Sequence, residues 1–191
     1  VVKLGIICEG ETEVIHFDTP SFRQFLSQFD LELIGVIETG SKTQYFGDRL
    51  PKYRDILLGR GAERIITLID LDCDVCITLT KEAIPQFNDQ TVVVAVKEFE
   101  NWYLADSKAL MSFTGSSVEI LTPEEDTDAI TTIVNLGITS KRFKRFPKSK
   151  PRLAKAMLNN GFTVENAANH PNCPSAQYFL TKLKTLASAG R

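Results

Sequence analysis

ERIITLIDLD occupies residues 63–72, a β-branched run with acids at both ends. Continuous Ile/Leu/Val runs of this length, without polar alternation, mark strands buried on both faces. Three others share the pattern: KLGIIC at 3–8, LELIGVIET at 31–39 and TVVVAVKEF at 91–99. Helical spacing lies between them. Thr12 to Phe29 carries Val14, Ile15, Phe17, Phe22, Phe25, Leu26 and Phe29 near one face, with Pro20 as a break or kink. Residues 44–60 repeat apolar positions every three or four and stop at Gly59 and Gly61, and 75–87 reads as a third helix. Strands alternating with helices predict a β-α-β-α-β-α-β unit over residues 1–100. The expected class is α/β: a mainly parallel sheet of about four strands with helices on both faces.

After Phe99 the pattern changes. Helical stretches are expected near 101–113, 123–135, 150–160 and 174–187, with a weak strand signal in VEIL at 118–121. Residues 101–191 are read as a mainly helical extension packed on the core.

Composition is that of an ordinary globular chain, 43% hydrophobic and 24% charged. No apolar stretch approaches the roughly 20 residues of a membrane helix. Four cysteines without a secretory signal point to reduced thiols and a cytoplasmic location. The net charge of -2 conceals a split. Residues 1–128 hold 11 Lys+Arg against 23 Asp+Glu, whereas 129–191 hold 11 against the single acid Glu165. Such asymmetry points to a polyanionic partner, nucleic acid above all, or to neutralisation of one half by the other.

In open parallel sheets, ligands bind beyond the carboxyl ends of the strands. The predicted ends here are acidic: Glu9-Gly10 after the first, Asp70, Asp72 and Asp74 after the third, Glu98 and Glu100 at the fourth. These acids should converge on one rim. Carboxylate groups of this kind suit hard cations such as Mg²⁺ or Mn²⁺. Glu11 and Glu13 have a simpler reading as favourable charges in a first helical turn, with Thr12 able to cap. Glu9, Asp70, Asp72 and Glu98 fit that reading less well. Asp70 and Asp72 would face the same side if the strand continued that far, and alternation gives Glu98 and Glu100 a common side.

Glu9-Gly10-Glu11-Thr12-Glu13 together with Asp70-Leu71-Asp72 resembles the EGxTE and DxD motifs of the Toprim (topoisomerase–primase) fold. The likeness is to Toprim-like bacterial proteins related to the overcoming-lysogenisation-defect nucleases. Glu100-Asn101-Trp102-Tyr103-Leu104-Ala105-Asp106, Lys150-Pro151-Arg152 and Cys173-Pro174-Ser175 resemble an uncharacterised branch of that group. The resemblance implies Mg²⁺-dependent phosphodiester hydrolysis with Glu9 as general acid or base. It implies metal ligation by Asp70 and Asp72, completed by Glu98 or Glu100, and a close phosphate approach over Gly10. It also implies phage defence and an ATPase partner. No Walker loop is present, so the chain alone is not expected to hydrolyse ATP. Two other readings stay open: a non-catalytic Toprim module within a complex, and an enzyme acting on small phosphates or nucleotides. The oligomeric state is open too, a dimer included.

SKRFKRFPKSKPRLAK at 140–155 holds eight Lys+Arg in sixteen residues, with Phe143 and Phe146 interleaved. Cations there would neutralise phosphates, and Arg145, Lys148, Lys150 and Arg152 are the expected contacts. The phenylalanines either stack on unpaired bases or enter the core. Cys73-x-x-Cys76 with His170-x-x-Cys173 is a permissible but weak zinc pattern.

Overall fold

The computed structural model describes residues 1–146 and 149–188. The chain divides into two compact units, residues 1–95 with 181–191, and residues 96–180.

The first unit is built on a four-stranded, all-parallel sheet in the order β2-β1-β3-β4. The strands are β1 (Val2–Cys8), β2 (Leu31–Glu38), β3 (Arg64–Asp70) and β4 (Gln90–Ala95). Helices α1 (Glu11–Phe17), α2 (Pro20–Ser27), α3 (Arg49–Gly59) and α4 (Ile77–Ala83) connect them. The sequence expectation of an α/β fold with a parallel sheet and a helical C-terminal part is met. The central strands are apolar on both faces, as Leu4, Ile6, Ile7, Ile65, Ile66, Leu68 and Ile69 are fully buried. Gly5 and Gly35 pair across β1 and β2 and leave room for Leu57 of α3. A Cβ on Gly5 would lie 2.8 Å from Leu57 Cδ1.

Two boundaries differ from the expected ones, and the break or kink expected at Pro20 is a break. The helix expected over 12–29 is two helices, because Thr19 caps α2 through a 3.1 Å bond from the Phe22 amide, with Pro20 first in the new helix. The strand expected over 91–99 stops at Ala95, and Lys97 takes a left-handed φ of 61° that no strand accommodates. The strand expected over 63–72 stops at Asp70, with Asp72 at φ 52°. Alternation along a strand therefore relates neither Glu98 to Glu100 nor Asp70 to Asp72.

The second unit is helical: α5 (Asn101–Ala105), α6 (Ser107–Thr114), α7 (Ala129–Thr139), α8 (Lys150–Asn159), α9 (Val164–Ala168) and the first half of α10 (Pro174–Ser188). No strand forms at 118–121. Phe99, Trp102, Tyr103, Phe162 and Phe179 form an aromatic core, with Tyr103 and Phe162 edge to face at 4.7 Å. Trp102 donates to Ser175 Oγ at 2.8 Å, and Ser175 N donates to the buried Glu124 at 2.8 Å. Asp106 caps α6 and accepts from Thr163 N and Asn166 Nδ2, each at 3.2 Å. The Trp102, Asp106 and Ser175 side chains are thus used in building this unit. Among the described residues no helix is long and apolar enough to cross a membrane.

Gly137 in α7 has a steric role. Phe143 lies across it so closely that a Cβ would fall within 2.0 Å of the ring. Gly137→Ala is expected to expel the ring and destabilise the protein by about 1–3 kcal/mol, the usual cost of overpacking. Thermal unfolding of the variant beside wild type checks this; an unchanged Tm would contradict it.

Candidate metal and phosphate site

Pairing of β1 with β3 ends at Ile7 opposite Thr67, so Glu9 and Asp70 leave the ladder two and three residues later. Both therefore stand at the carboxyl edge of neighbouring central strands. Asp70 is the last residue of β3 and is buried at 6% exposure. Glu9 is half-buried, and its Oε2 is out of contact with water and has no hydrogen-bond partner. Burial pushes the Glu9 carboxyl up, and the Asp72 carboxylate adds to the rise; backbone amides of Lys42 and Asp70 and the Lys42 charge oppose it.

Beneath them, burial drives the Cys8 thiol well up, helped by the carboxylates of Glu13, Glu38 and Asp70. Cys8 is therefore a neutral, buried thiol, as its apolar strand predicts. Glu11 and Glu13 fall in the first turn of α1, as expected. Glu13 is buried at 3% exposure. Thr12 does not cap: Gly10 is the N-cap, and Thr12 is buried within the first turn. Gly10 has an extended φ of -134°, open to any residue, and a Cβ there would meet only Glu13 Oε2 at 3.5 Å. Neither backbone conformation nor packing within the chain demands glycine at this position.

Sequence reasoning missed one member of this group. A 3-10 turn at Lys42–Tyr45 follows β2. The sheet order puts β1 between β2 and β3, and this turn reaches over to β3. Tyr45 Oη donates to Leu68 O at 2.7 Å, and Lys42 Nζ donates to Leu71 O at 2.8 Å. The same ammonium contacts Asp74 at 2.9 Å and Asp72 at 3.2 Å. Burial works against the Lys42 charge, but the hydrogen bonds to Asp74 and Asp72 outweigh it and raise its pKa. Asp74 also accepts from Thr80 Oγ1 at 3.0 Å.

Glu98 and Glu100 belong to the second unit. Glu100 is buried at 1% exposure, and Lys150 Nζ lies 3.2 Å from it and 3.3 Å from Glu98. Burial raises the Glu100 carboxyl, against the opposing pull of Lys150. The ammonium expected to meet phosphate is therefore engaged with two carboxylates. Arg145 and Arg152 are exposed, as are Lys141, Arg142 and Lys144, while Lys148 lies outside the described residues. Phe143 and Phe146 pack on Phe113 at 5.4 Å each and on one another at 5.7 Å. The two rings anchor the basic segment to its own unit.

For a divalent cation, the fit is in kind and in charge. Hard oxygens from Glu9, Asp70 and Asp72 are the appropriate donors. The buried, unpartnered Glu9 oxygen with the Asp72 charge acting on it is an electrostatic debt that a cation would relieve. Among the described residues, however, no three His, Cys, Asp or Glu side chains are gathered closely enough to hold an ion. This covers the cysteine–histidine zinc pattern also; Cys73 is exposed and all four thiols are free. Lys42 is the cation that Asp72 and Asp74 contact here.

A raised carboxyl pKa means that the charged form is the costly one in the folded chain. Below 4.5, the ordinary value, folded and unfolded chains both hold the proton and the cost is absent. The cost grows as pH rises from the ordinary value to the folded pKa and is fully present above it. Glu9→Gln is therefore expected to raise Tm near neutral pH in EDTA, by an amount that solvent screening of a half-buried carboxylate keeps small. The gain should vanish on acidification. A lower Tm for the variant near neutral pH would contradict the assignment of a costly charge.

Compared with family models, curated proteins and solved structures, the chain matches none.

Proposed function

We propose that the protein is a Toprim-like, Mg²⁺- or Mn²⁺-dependent phosphodiesterase acting on DNA or RNA. The observation that carries this reading is the Glu9 carboxyl, half-buried with one bare oxygen, beside Asp70 and Asp72 at the carboxyl edge of adjacent parallel strands. Glu9, Asp70 and Asp72 would hold the cation, and its binding would have to draw them together, since no three such side chains stand close enough among the described residues. A bound divalent ion lowers the pKa of a water and stabilises the leaving oxygen of a phosphodiester. The resemblance gives Glu9 the role of general acid or base in the proton transfer. Gly10 is not required by the chain's own packing, and its approach to a phosphate follows from the resemblance alone.

The exposed Lys141, Arg142, Lys144, Arg145 and Arg152 suit backbone phosphates. With Phe143 and Phe146 packed on Phe113, recognition would rest on charge and not on base stacking. A role in phage defence beside an ATPase partner follows from the resemblance alone. A non-catalytic module would bind with the same salt dependence and cleave nothing; an enzyme of small phosphates would show a shallow salt slope.

The test is cleavage of plasmid, single-stranded DNA and RNA with Mg²⁺ or Mn²⁺ by wild type, Glu9→Gln and Asp70→Asn. Loss of about 100-fold or more in each folded variant is expected, the scale on which a general acid–base group acts. Undiminished cleavage in both would sink the site. No cleavage by folded, metal-supplied wild type would leave the non-catalytic reading.

A further inference from the structure

Lys42 has the geometry of a resident counter-ion. An ammonium has three donors, and Lys42 meets three acceptors: Leu71 O at 2.8 Å, Asp74 at 2.9 Å and Asp72 at 3.2 Å. Its side chain is only 18% exposed, unusual for a lysine. Its backbone is fixed as well. Tyr45, three residues on, is fully buried and hydrogen-bonded to β3. Just before it, Thr39 N and Gly40 N donate to Cys8 O and Glu9 O at 2.9 and 2.8 Å. One short segment thus ties the Glu9 backbone and the Asp72–Asp74 loop together, with its positive charge between them.

We infer that Lys42 is a positioning residue that holds the acidic loop in order while no divalent cation is bound, and that the cation must displace it from Asp72. This inference rests on the proposed cation site. Without the ammonium, the loop's carboxylates would repel one another and Glu9 across a half-buried edge. With it, the loop is formed in advance, and cation binding becomes an exchange of one positive charge for another. Lys42 therefore sets the threshold: metal affinity is weakened by the strength of the contacts that the lysine gives up. Released from Asp72, the ammonium would remain beside the edge, where it could meet an anionic substrate.

The experiment uses the full chain with Mn²⁺ alone as probe. Affinity is read from free Mn²⁺ by electron paramagnetic resonance, and stability from Tm in EDTA and in excess Mn²⁺. Lys42→Met is expected to bind Mn²⁺ about tenfold more tightly than wild type or more, the scale of removing one positive charge near a divalent ion. Its Tm should fall in EDTA and recover in Mn²⁺, a larger metal-induced rise than wild type shows. Lys42→Arg, which keeps the charge, should bind Mn²⁺ within about threefold of wild type, and Lys42→Gln serves in place of Lys42→Met should that variant not fold. Unchanged or weaker affinity in the neutral variants, with wild type binding Mn²⁺, would overturn the role of Lys42 and leave the cation site standing. Absence of Mn²⁺ binding in wild type and variants alike would overturn both.

Discussion

The parallel pairing of β1 with β3 is the constraint on which the candidate site depends. Because the two strands run the same way, each ends at the same edge, and the residues that leave them are neighbours across 60 positions of sequence. Both strands are buried, so the carboxylates that follow them emerge at the border of an apolar core and not in open solvent. Burial there raises the Glu9 carboxyl and leaves one of its oxygens without a partner. The cost is local. It is tolerated because Ile6, Ile7, Leu68 and Ile69 beneath it are fully buried. Lys42 contacts both Asp72 and Asp74, and the charges of Asp72 and Lys42 act on Glu9 in opposite directions.

The sheet was legible because buried parallel strands have a composition that few other elements share. KLGIIC, ERIITLID and TVVVA need no context to be read. Their ends were harder. Val96 extends the apolar run of β4 without a visible break, and the stop comes from a backbone turn at Lys97, a residue whose side chain announces nothing. Pro20 was more informative: it reads as a break or kink, and a second helix starts there, capped by Thr19.

Of the site, the acids at strand ends were readable, since topology alone assigns them to an edge. Lys42 was not. It sits in Ser41-Lys42-Thr43-Gln44-Tyr45, which has neither periodicity nor a charged neighbour, and its partners lie 29 to 32 residues away. Only the path of the 3-10 turn over the edge of the sheet brings them together. The basic segment divides in a similar way. Its exposed cations follow from composition, but the anchoring of Phe143 depends on the missing side chain of Gly137, six residues earlier on a helix. Trp102, Asp106 and Ser175 lie in the stretches that resemble an uncharacterised branch of the Toprim-like group. Their hydrogen bonds cap helices and join the Glu124 loop to α10 within the helical unit.

The central claim is that the carboxyl edge of β1 and β3 binds a divalent cation. Anomalous diffraction from crystals soaked in Mn²⁺ tests it most directly, because it locates the ion without requiring turnover or a known substrate. The account predicts an anomalous peak coordinated by the Glu9 carboxylate and by Asp70 or Asp72. A fully soaked crystal with no peak at this edge, and Glu9 still lacking a partner, would contradict it.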